Sequence, residues 1–159
     1  MRIRRNTYEK VCYLIANNIR DRVKDSNHFV LGLATGSTPI GIYEKLSMMN
    51  NTNFRDTTTF NLDEYVGIDK HHDQSYQYFM NKHLFNNLNF RKHYFPTEEN
   101  YNEYDLMIKS YGGIDIQILG IGTNGHIAFN EPGSSRYSAT RLVDLTENTI
   151  KDNSRFFDN

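Results

Sequence analysis

Apolar segments of strand length alternate along this chain with segments of helical periodicity, and this alternation restricts the possible folds more than any other feature. Apolar residues recur at helical spacing across residues 7–24, with charged residues between them. Two apolar runs, HFVLGLA at 28–34 and IDIQILGIG at 114–122, have the length of buried strands. Because strands that alternate with helices form parallel sheets, the sequence predicts a three-layer α/β fold, with a mainly parallel sheet and helices on both faces, as in Rossmann-like proteins.

The remaining segments continue the same pattern. Pro39 opens a second predicted helix with Ser37 or Thr38 as its cap, and TTTFNLDEY at 57–65 is a threonine-rich strand. Residues 73–85 form a predicted helix with Asp73 as its cap, and residues 103–111 form another that stops at Gly112 and Gly113. Residues 140–146 are a predicted strand, and a further helix is predicted to start at Thr146. No repeat or linker interrupts the chain, so a single domain over residues 1–159 is the simplest organisation.

The charge balance argues against a nucleic-acid or membrane partner. Eighteen Lys and Arg residues against nineteen Asp and Glu residues give a net charge of -1, which provides no broad positive field. Cys12 is the only cysteine, so an intrachain disulfide and a thiol-rich metal site are excluded. The histidines lack the spacing of zinc or iron ligands, and we find neither a secretory signal nor an apolar run long enough for a bilayer. We therefore expect a cytoplasmic protein that binds no metal.

Three of the four predicted strands end in turns rich in polar residues: ATGSTP, LDEYVG and GIGTNGHIAFNEP. Because the carboxyl ends of parallel strands lie at one edge of a sheet, we expect these turns to converge on one ligand. In the first turn, Gly36, Ser37 and Thr38 precede a helix, where backbone N–H groups and hydroxyls can bind a phosphate. The turn has no lysine of the kind found in nucleotide-binding P-loops. An ordinary capped helix is the alternative interpretation.

The other two turns carry ionisable side chains. Neighbouring residues of a strand point to opposite faces, so Asp63 and Glu64 cannot both face one pocket while the strand continues. We expect one of them to act as a base and the other to make structural hydrogen bonds. A solvated strand end is the alternative. His126 and Glu131 suggest a proton-transfer pair, in which the carboxylate fixes the tautomer of the imidazole. A buried histidine with a neighbouring partner is the alternative for the second pair.

The third turn also contains G-x-G-x-x-G, the pattern of a dinucleotide-binding loop. Such a loop requires a helix directly after the third glycine and an acidic residue about 20 positions later. Asp144 could be that residue, but Pro132 and the three residues after it interrupt any helix that follows Gly125. His126 and Glu131 also occupy positions where a pyrophosphate site has small residues. We therefore interpret this turn as catalytic and expect no dinucleotide.

With these motifs in place, the sequence resembles the glucosamine-6-phosphate deaminases. The matching segments are LGLATGSTPIGIYEKL, FNLDEYVGI followed by QSYQYFM, GIGTNGHIAFNEPGSS and TRLVDLTENTIKDNSRFFDN, which span most of the chain from residue 31. Related lactonases that act on 6-phosphogluconate have a similar glycine–histidine loop but lack the ending Glu131-Pro132. The resemblance implies isomerising deamination of glucosamine 6-phosphate to fructose 6-phosphate and ammonia, in amino-sugar catabolism, without a metal or an organic cofactor.

The resemblance also implies individual residue roles. His126, oriented by Glu131 and assisted by Asn124, would open the sugar ring, and Asp63 would abstract the proton on carbon 2. The residues that would bind the phosphate are Gly36, Ser37, Thr38 and Arg155.

Members of the resembled family continue beyond the position of Asn159, through a lysine that contacts the phosphate. We therefore expect a domain that is shortened at its C-terminus, with an exposed sheet edge. A lactonase, another sugar-phosphate isomerase and a sugar-phosphate-binding fragment without catalysis are the alternative functions. The sequence does not indicate an oligomeric state.

Overall fold

The structure, a computed structural model, describes residues 5–49 and 52–154. Its helices and strands in chain order are α1 (Tyr8–Lys24), β1 (Phe29–Leu33), α2 (Ile40–Ser47), β2 (Thr57–Asn61), α3 (Tyr76–Met80), β3 (Lys92–Tyr94), α4 (Tyr104–Ser110), β4 (Ile116–Gln117) and α5 (Glu147–Ser154). A π-helical turn, Asn81–Phe85, continues α3. The strands form one sheet in the order β3-β2-β1-β4, and all its pairings are parallel. This confirms the predicted parallel sheet.

Helices cover both faces of the sheet, so the predicted three-layer architecture is also confirmed. Side chains alternate along β1: Leu31 and Leu33 pack with the buried residues of α1 and α2, whereas Val30 points to the other face. There, Val30 packs with Phe60 of β2 and Tyr104 of α4. Because both faces of β1 are covered, every residue of this strand is buried, which explains its continuous apolar run.

The strand order reverses between β1 and β4. From β1 the chain proceeds to β2 and β3 on one side, and after α4 it returns to pair β4 with the opposite side of β1. A reversal of this kind leaves a crevice at the carboxyl ends of the two strands, and ligands of open α/β sheets bind there. The segments that follow β1 and β4 are the first and third polar turns.

Three strand predictions differ from the structure. The strand predicted at 57–65 ends at Asn61. Residues 140–146 form no strand, because the backbone at both ends of this segment is bound by side chains. Thr140 N donates to Asp105 Oδ2 (3.1 Å), and Thr146 N donates to Glu131 Oε1 (3.2 Å). Of the strand predicted at 114–122, only β4 forms. Ile118 N still donates to Gly32 O of β1 (2.9 Å), and the chain then turns away from β1 into the third polar turn.

The helix starts also differ in detail from the prediction. α2 begins at Ile40 with Pro39 at the cap position and no side-chain cap, so Ser37 and Thr38 do not cap it. Their turn is held instead by Tyr8, whose hydroxyl donates to Thr38 O (2.9 Å).

Ser75, and not Asp73, caps α3, since its Oγ accepts from Tyr78 N (2.9 Å). The predicted glycine stop of α4 is confirmed, with φ of 87° at Gly112 and 90° at Gly113. α5 follows Thr146, as predicted.

Candidate active site

A cavity of about 460 Å³ opens at the carboxyl ends of β1, β2 and β4. All three polar turns contribute to its wall, through Gly36–Thr38, Asp63 and His126. The structure therefore brings together the anion-binding turn, the carboxylate and the imidazole that the sequence indicated. Asn124 and Glu131 lie behind His126, as described below, and Arg155 lies outside the described residues.

The turn after β1 is adapted to a close approach of a ligand to the backbone. Gly36 has a φ of 95°, which strains any residue with a side chain. Nothing lies within 4 Å of the position where a Cβ would stand, so this side of the turn is open. Ser37 and Thr38 are exposed and line the cavity. Backbone N–H groups and two hydroxyls are thus available to an anion at the start of α2.

Asp63 and Glu64 lie beyond the end of β2, and their side chains have separate surroundings. Glu64 accepts hydrogen bonds from backbone N–H groups at the start of α3, whereas Asp63 lines the cavity. Burial, together with the negative charge of Glu64, raises the pKa of Asp63 to about 7. A carboxylate that ionises near neutral pH is well suited to accept a proton from carbon.

Asn124 connects His126 to Glu131. Asn124 Nδ2 donates to Glu131 Oε2 (2.9 Å), and His126 Nδ1 lies 2.7 Å from Asn124 Oδ1. Because a carboxylate only accepts, the amide must present its oxygen to the imidazole, so Nδ1 carries the proton and Nε2 keeps a lone pair. The resemblance implied that Glu131 orients His126 with assistance from Asn124. In the structure, Asn124 is the residue that connects the two.

Glu131 is itself fixed by the start of α5. Its Oε1 accepts from Thr146 N (3.2 Å) and Thr146 Oγ1 (3.1 Å). Hydrogen bonds from Thr149, and then from Asn124 and Thr146, lower the pKa of Glu131 to about 2. Thr149 Oγ1 also lies 3.4 Å from His126 Nδ1. Sequence reasoning found Thr146 only as a helix start and did not find Thr149.

The glycines of the third turn make room for His126 and allow the chain to reverse, and they are not followed by the helix that a dinucleotide loop requires. A Cβ on Gly122 would lie 2.2 Å from Nε2 of His126, so the imidazole packs directly on this glycine. Gly125 has a φ of 90° and lets the chain reverse before His126. No described residue between Gly125 and Glu147 is helical. The expectation that this turn is not a cofactor loop agrees with its geometry.

An aromatic cluster that the sequence analysis missed completes one wall of the cavity. Its rings are those of Tyr65, Tyr76 and Phe129, with centroids 4.9–5.7 Å apart. Each ring comes from a different part of the chain, so the cluster joins the loop after β2, the start of α3 and the histidine turn. Asn153 Nδ2 of α5 donates to the hydroxyl of Tyr65 (3.0 Å). The spacing of these residues in the sequence gives no sign of their association.

Within residues 5–49 and 52–154, no cluster of three His, Cys, Asp or Glu side chains has an arrangement that could hold a metal ion. None of the helices in those ranges is both long and apolar enough to cross a membrane.

Comparison with known proteins identifies the family. The family model for glucosamine-6-phosphate isomerases/6-phosphogluconolactonase matches residues 4–155. The glucosamine-6-phosphate deaminase of Malacoplasma penetrans is 47% identical, over 98% of this chain and 69% of its own length. The enzyme of that name from Mycoplasma mycoides is 51% identical, over 94% of this chain and 65% of its own length. The chain thus spans about two thirds of the length of these relatives.

Solved structures agree with the sequence comparison. A monomeric glucosamine-6-phosphate deaminase superposes with a TM-score of 0.91 at 38% identity, over 98% of this chain and 69% of the other. The 6-phosphogluconolactonase of Thermotoga maritima superposes with a TM-score of 0.66 at 25% identity, over 79% of this chain and 61% of the other. On this evidence, the chain belongs to the family of glucosamine-6-phosphate isomerases and 6-phosphogluconolactonases.

Proposed function

We propose that the cavity binds glucosamine 6-phosphate and that this fold converts it to fructose 6-phosphate and ammonia, as a step of amino-sugar catabolism. The observation that carries the proposal is the meeting of Asp63, His126 and the turn Gly36–Thr38 in one cavity. The deaminase names of relatives that are 47% and 51% identical support this choice of substrate.

The first step is the opening of the sugar ring. His126 Nε2 accepts the proton of the anomeric hydroxyl and returns it to the ring oxygen as the bond between that oxygen and carbon 1 breaks. The product is an aldehyde at carbon 1. Asn124 and Glu131 support this step, because they hold the proton of the imidazole on Nδ1 and leave Nε2 able to accept.

The second step is proton transfer between carbons. The aldehyde acidifies the proton on carbon 2, and Asp63 accepts that proton while a double bond forms between carbons 1 and 2. The aldehyde oxygen takes up a proton from the substrate's own ammonium group on carbon 2, and Asp63 later gives its proton to carbon 1. Return of a proton to carbon 1 gives the imine of fructose 6-phosphate. Water then adds to carbon 2 and ammonia leaves, so the net reaction consumes one water molecule.

The phosphate of the substrate is assigned to the turn after β1. Gly36 opens the backbone to the anion, and the hydroxyls of Ser37 and Thr38 line the cavity. Arg155 remains a predicted contributor of bidentate hydrogen bonds to the same phosphate.

The comparisons favour a deaminase over a lactonase. The deaminases of Malacoplasma penetrans and Mycoplasma mycoides are 47% and 51% identical to this chain, whereas the Thermotoga maritima lactonase is 25% identical. Release of ammonia from glucosamine 6-phosphate, without hydrolysis of 6-phosphogluconolactone, is the expected result. A chain that binds the sugar phosphate but releases no ammonia would be a binding fragment.

Asp63→Asn tests the assignment of the base. The variant keeps the shape of the cavity but cannot accept the proton, so ammonia release and exchange of the carbon 2 hydrogen with deuterated solvent should fall by roughly 10²- to 10⁴-fold, with substrate binding retained. The control is Asp21→Asn, which changes an exposed carboxylate on α1 and should leave both rates unchanged. Near-normal hydrogen exchange in Asp63→Asn would remove Asp63 from the role of base.

A further inference from the structure

Glu64, the neighbour of Asp63, uses its whole carboxylate to bind backbone N–H groups. Its Oε1 accepts from Tyr65 N (2.9 Å) and Tyr76 N (3.0 Å), and its Oε2 accepts from Gln77 N (2.9 Å). Tyr76 and Gln77 form the first turn of α3, twelve and thirteen residues farther along the chain. The side chain therefore fastens the loop after β2 to a separate element.

These bonds restrain the backbone on one side of Asp63, and a second contact restrains it on the other. Upstream, the hydroxyl of Tyr104 donates to Asn61 O (2.8 Å) at the end of β2. Downstream, Glu64 is bound to α3. Asp63 lies between these two attachments, so its direction into the cavity depends on both.

Glu64 also affects Asp63 through its charge. Its negative charge adds to the effect of burial in opposing ionisation of Asp63. The phenols of Tyr65, Tyr76 and Tyr104 experience the charge of Asp63. Asp73, His83 and His126 line the same cavity, but the charge that acts on the ionisation of Asp63 is that of Glu64. Phenols are neutral near pH 7, so Glu64 is the neighbouring anion that acts on Asp63 in that range.

We propose that Glu64 is a positioning residue for Asp63: its hydrogen bonds to backbone amides hold the Asp63 loop against α3, and its carboxylate sets the negative charge next to Asp63. The inference rests on the proposed function of Asp63 as the base. It goes beyond that function because Glu64 touches neither the substrate nor the reacting atoms and acts only through its neighbour.

Two substitutions at Glu64 test the contribution of its charge and the contribution of its hydrogen bonds. Glu64→Gln removes the charge and sets an NH₂ group against the donors of α3, whereas Glu64→Asp keeps the charge but is one carbon too short to reach both amides. The control is Glu9→Gln, which removes a carboxylate that is 82% exposed on α1. Each variant is first checked by thermal melting, so that a loss of global stability is recognised.

Two readouts do not depend on turnover. The first is the titration of the Asp63 carboxyl carbon by ¹³C NMR, assigned with Asp63→Asn. We expect its midpoint to move to lower pH in Glu64→Gln, to move by less in Glu64→Asp, which keeps the charge, and to stay at the wild-type value in Glu9→Gln. The second is amide hydrogen exchange, in which Gln77 should exchange faster in both Glu64 variants than in Glu9→Gln.

Turnover provides the third readout. Misplacement of the base should lower kcat roughly 10- to 100-fold in Glu64→Asp, and the acid limb of the pH profile should move farther to lower pH in Glu64→Gln than in Glu64→Asp.

An Asp63 midpoint that does not move in Glu64→Gln would overturn the proposal, and so would a Gln77 amide that exchanges at the wild-type rate in Glu64→Asp. If the wild-type chain releases no ammonia, the proposed function fails, but the titration and the amide exchange still decide whether Glu64 governs Asp63.

Discussion

The carboxylates of Asp63, Glu64 and Glu131 have different partners, which give them different tasks. Glu131 is held by Asn124 and Thr146, and hydrogen bonding keeps its pKa near 2. Glu64 is bound to the backbone of α3. Asp63 lines the cavity, and its pKa is raised to about 7. At neutral pH, Asp63 is therefore the carboxylate of this group that can gain and lose a proton readily.

The contact between Gly122 and His126 can be tested by substitution, with the neighbouring Gly120 for comparison. Gly122→Ala would place a methyl group 2.2 Å from the imidazole, so the ring must leave its present position. We expect kcat to fall roughly 100-fold with little change in melting temperature. Gly120→Ala, two residues earlier, also adds a methyl group to the wall of the cavity but meets nothing within 4 Å, so it should lower kcat far less than Gly122→Ala. Equal rates in the two variants would show that the position of the ring does not matter.

The raised pKa of Asp63 predicts a pH-dependent difference in stability between the wild type and Asp63→Asn. A carboxyl group with a pKa of about 7 in the folded state, against about 3.8 when unfolded, favours folding when protonated. That stability is fully present below pH 3.8 and is lost as the pH rises through 7. Asparagine stays neutral, so Asp63→Asn should become the more stable protein at pH 8, by on the order of 2–4 kcal/mol.

Urea unfolding of both proteins between pH 4 and pH 8 measures this difference in the free energy of unfolding. Asp21→Asn serves as the control, because Asp21 is exposed. A difference between Asp63→Asn and the wild type that stays constant over this range would contradict a raised pKa.

Among the secondary-structure elements, those with strong periodicity were predictable and those defined by side-chain contacts were not. The apolar run at 28–34 predicted β1, and the periodicity at 7–24 predicted α1, each to within one residue at both ends. β3 was missed because its three residues are exposed or half-buried and form no apolar run. The segment 140–146 reads as a strand, but its backbone is bound by Asp105 and Glu131, whose proximity depends on the tertiary fold.

The candidate site was predictable to a similar degree. The convergence of the three turns follows from the topology of a parallel sheet, and the sequence therefore indicated Asp63 and His126 before their positions were known. The contribution of Thr149 and the association of Tyr65 with Phe129 could not be inferred, because each depends on how α5 and the histidine turn dock. Sequence spacing contains no information about those distances.

β2 contains buried hydroxyl groups whose cost in folding free energy can be tested. The Oγ1 atoms of Thr57, Thr58 and Thr59 are buried and have no hydrogen-bond partner among the described residues. Thr58→Val keeps the shape of the side chain and removes an unsatisfied hydroxyl, so the protein should gain about 1 kcal/mol. The melting temperature should then rise by roughly 2–4 °C in calorimetry.

Thr7→Val is the matched control for this substitution. The hydroxyl of Thr7 caps α1 by accepting from Lys10 N, so its removal should lower the melting temperature. A loss of stability in Thr58→Val would mean that its hydroxyl has a partner, such as a buried water.

At the scale of the whole molecule, the two edges of the sheet differ. β3 presents the exposed polar residues Lys92 and His93, which discourage pairing with another strand. β4 forms the opposite edge, and within the described residues no strand pairs with its outer side. Leu119 and Ile121, just after β4, are 53% and 77% exposed. The apolar edge is therefore the one at β4.

We expect this edge to make the 159-residue chain associate as its concentration rises. Leu119→Lys should reduce association, because it adds a charge to the apolar edge. The control is Leu106→Lys, where the leucine is 66% exposed but belongs to the helix α4 and not to a strand edge. Light scattering over a concentration series measures the effect. A wild-type chain that stays monomeric, or equal effects of the two substitutions, would contradict the role of β4.

The attachment of α5 to the cavity has a consequence for how the protein is made. Thr146 binds Glu131, and Asn153 binds Tyr65, so residues near the end of the described chain hold groups that lie much earlier in it. A ribosome synthesises Asp63 and His126 before either of those anchors exists. The nascent polypeptide thus contains both side chains of the candidate site for some time before Thr146 and Asn153 can fix their surroundings, and completion of the cavity waits for α5 to dock.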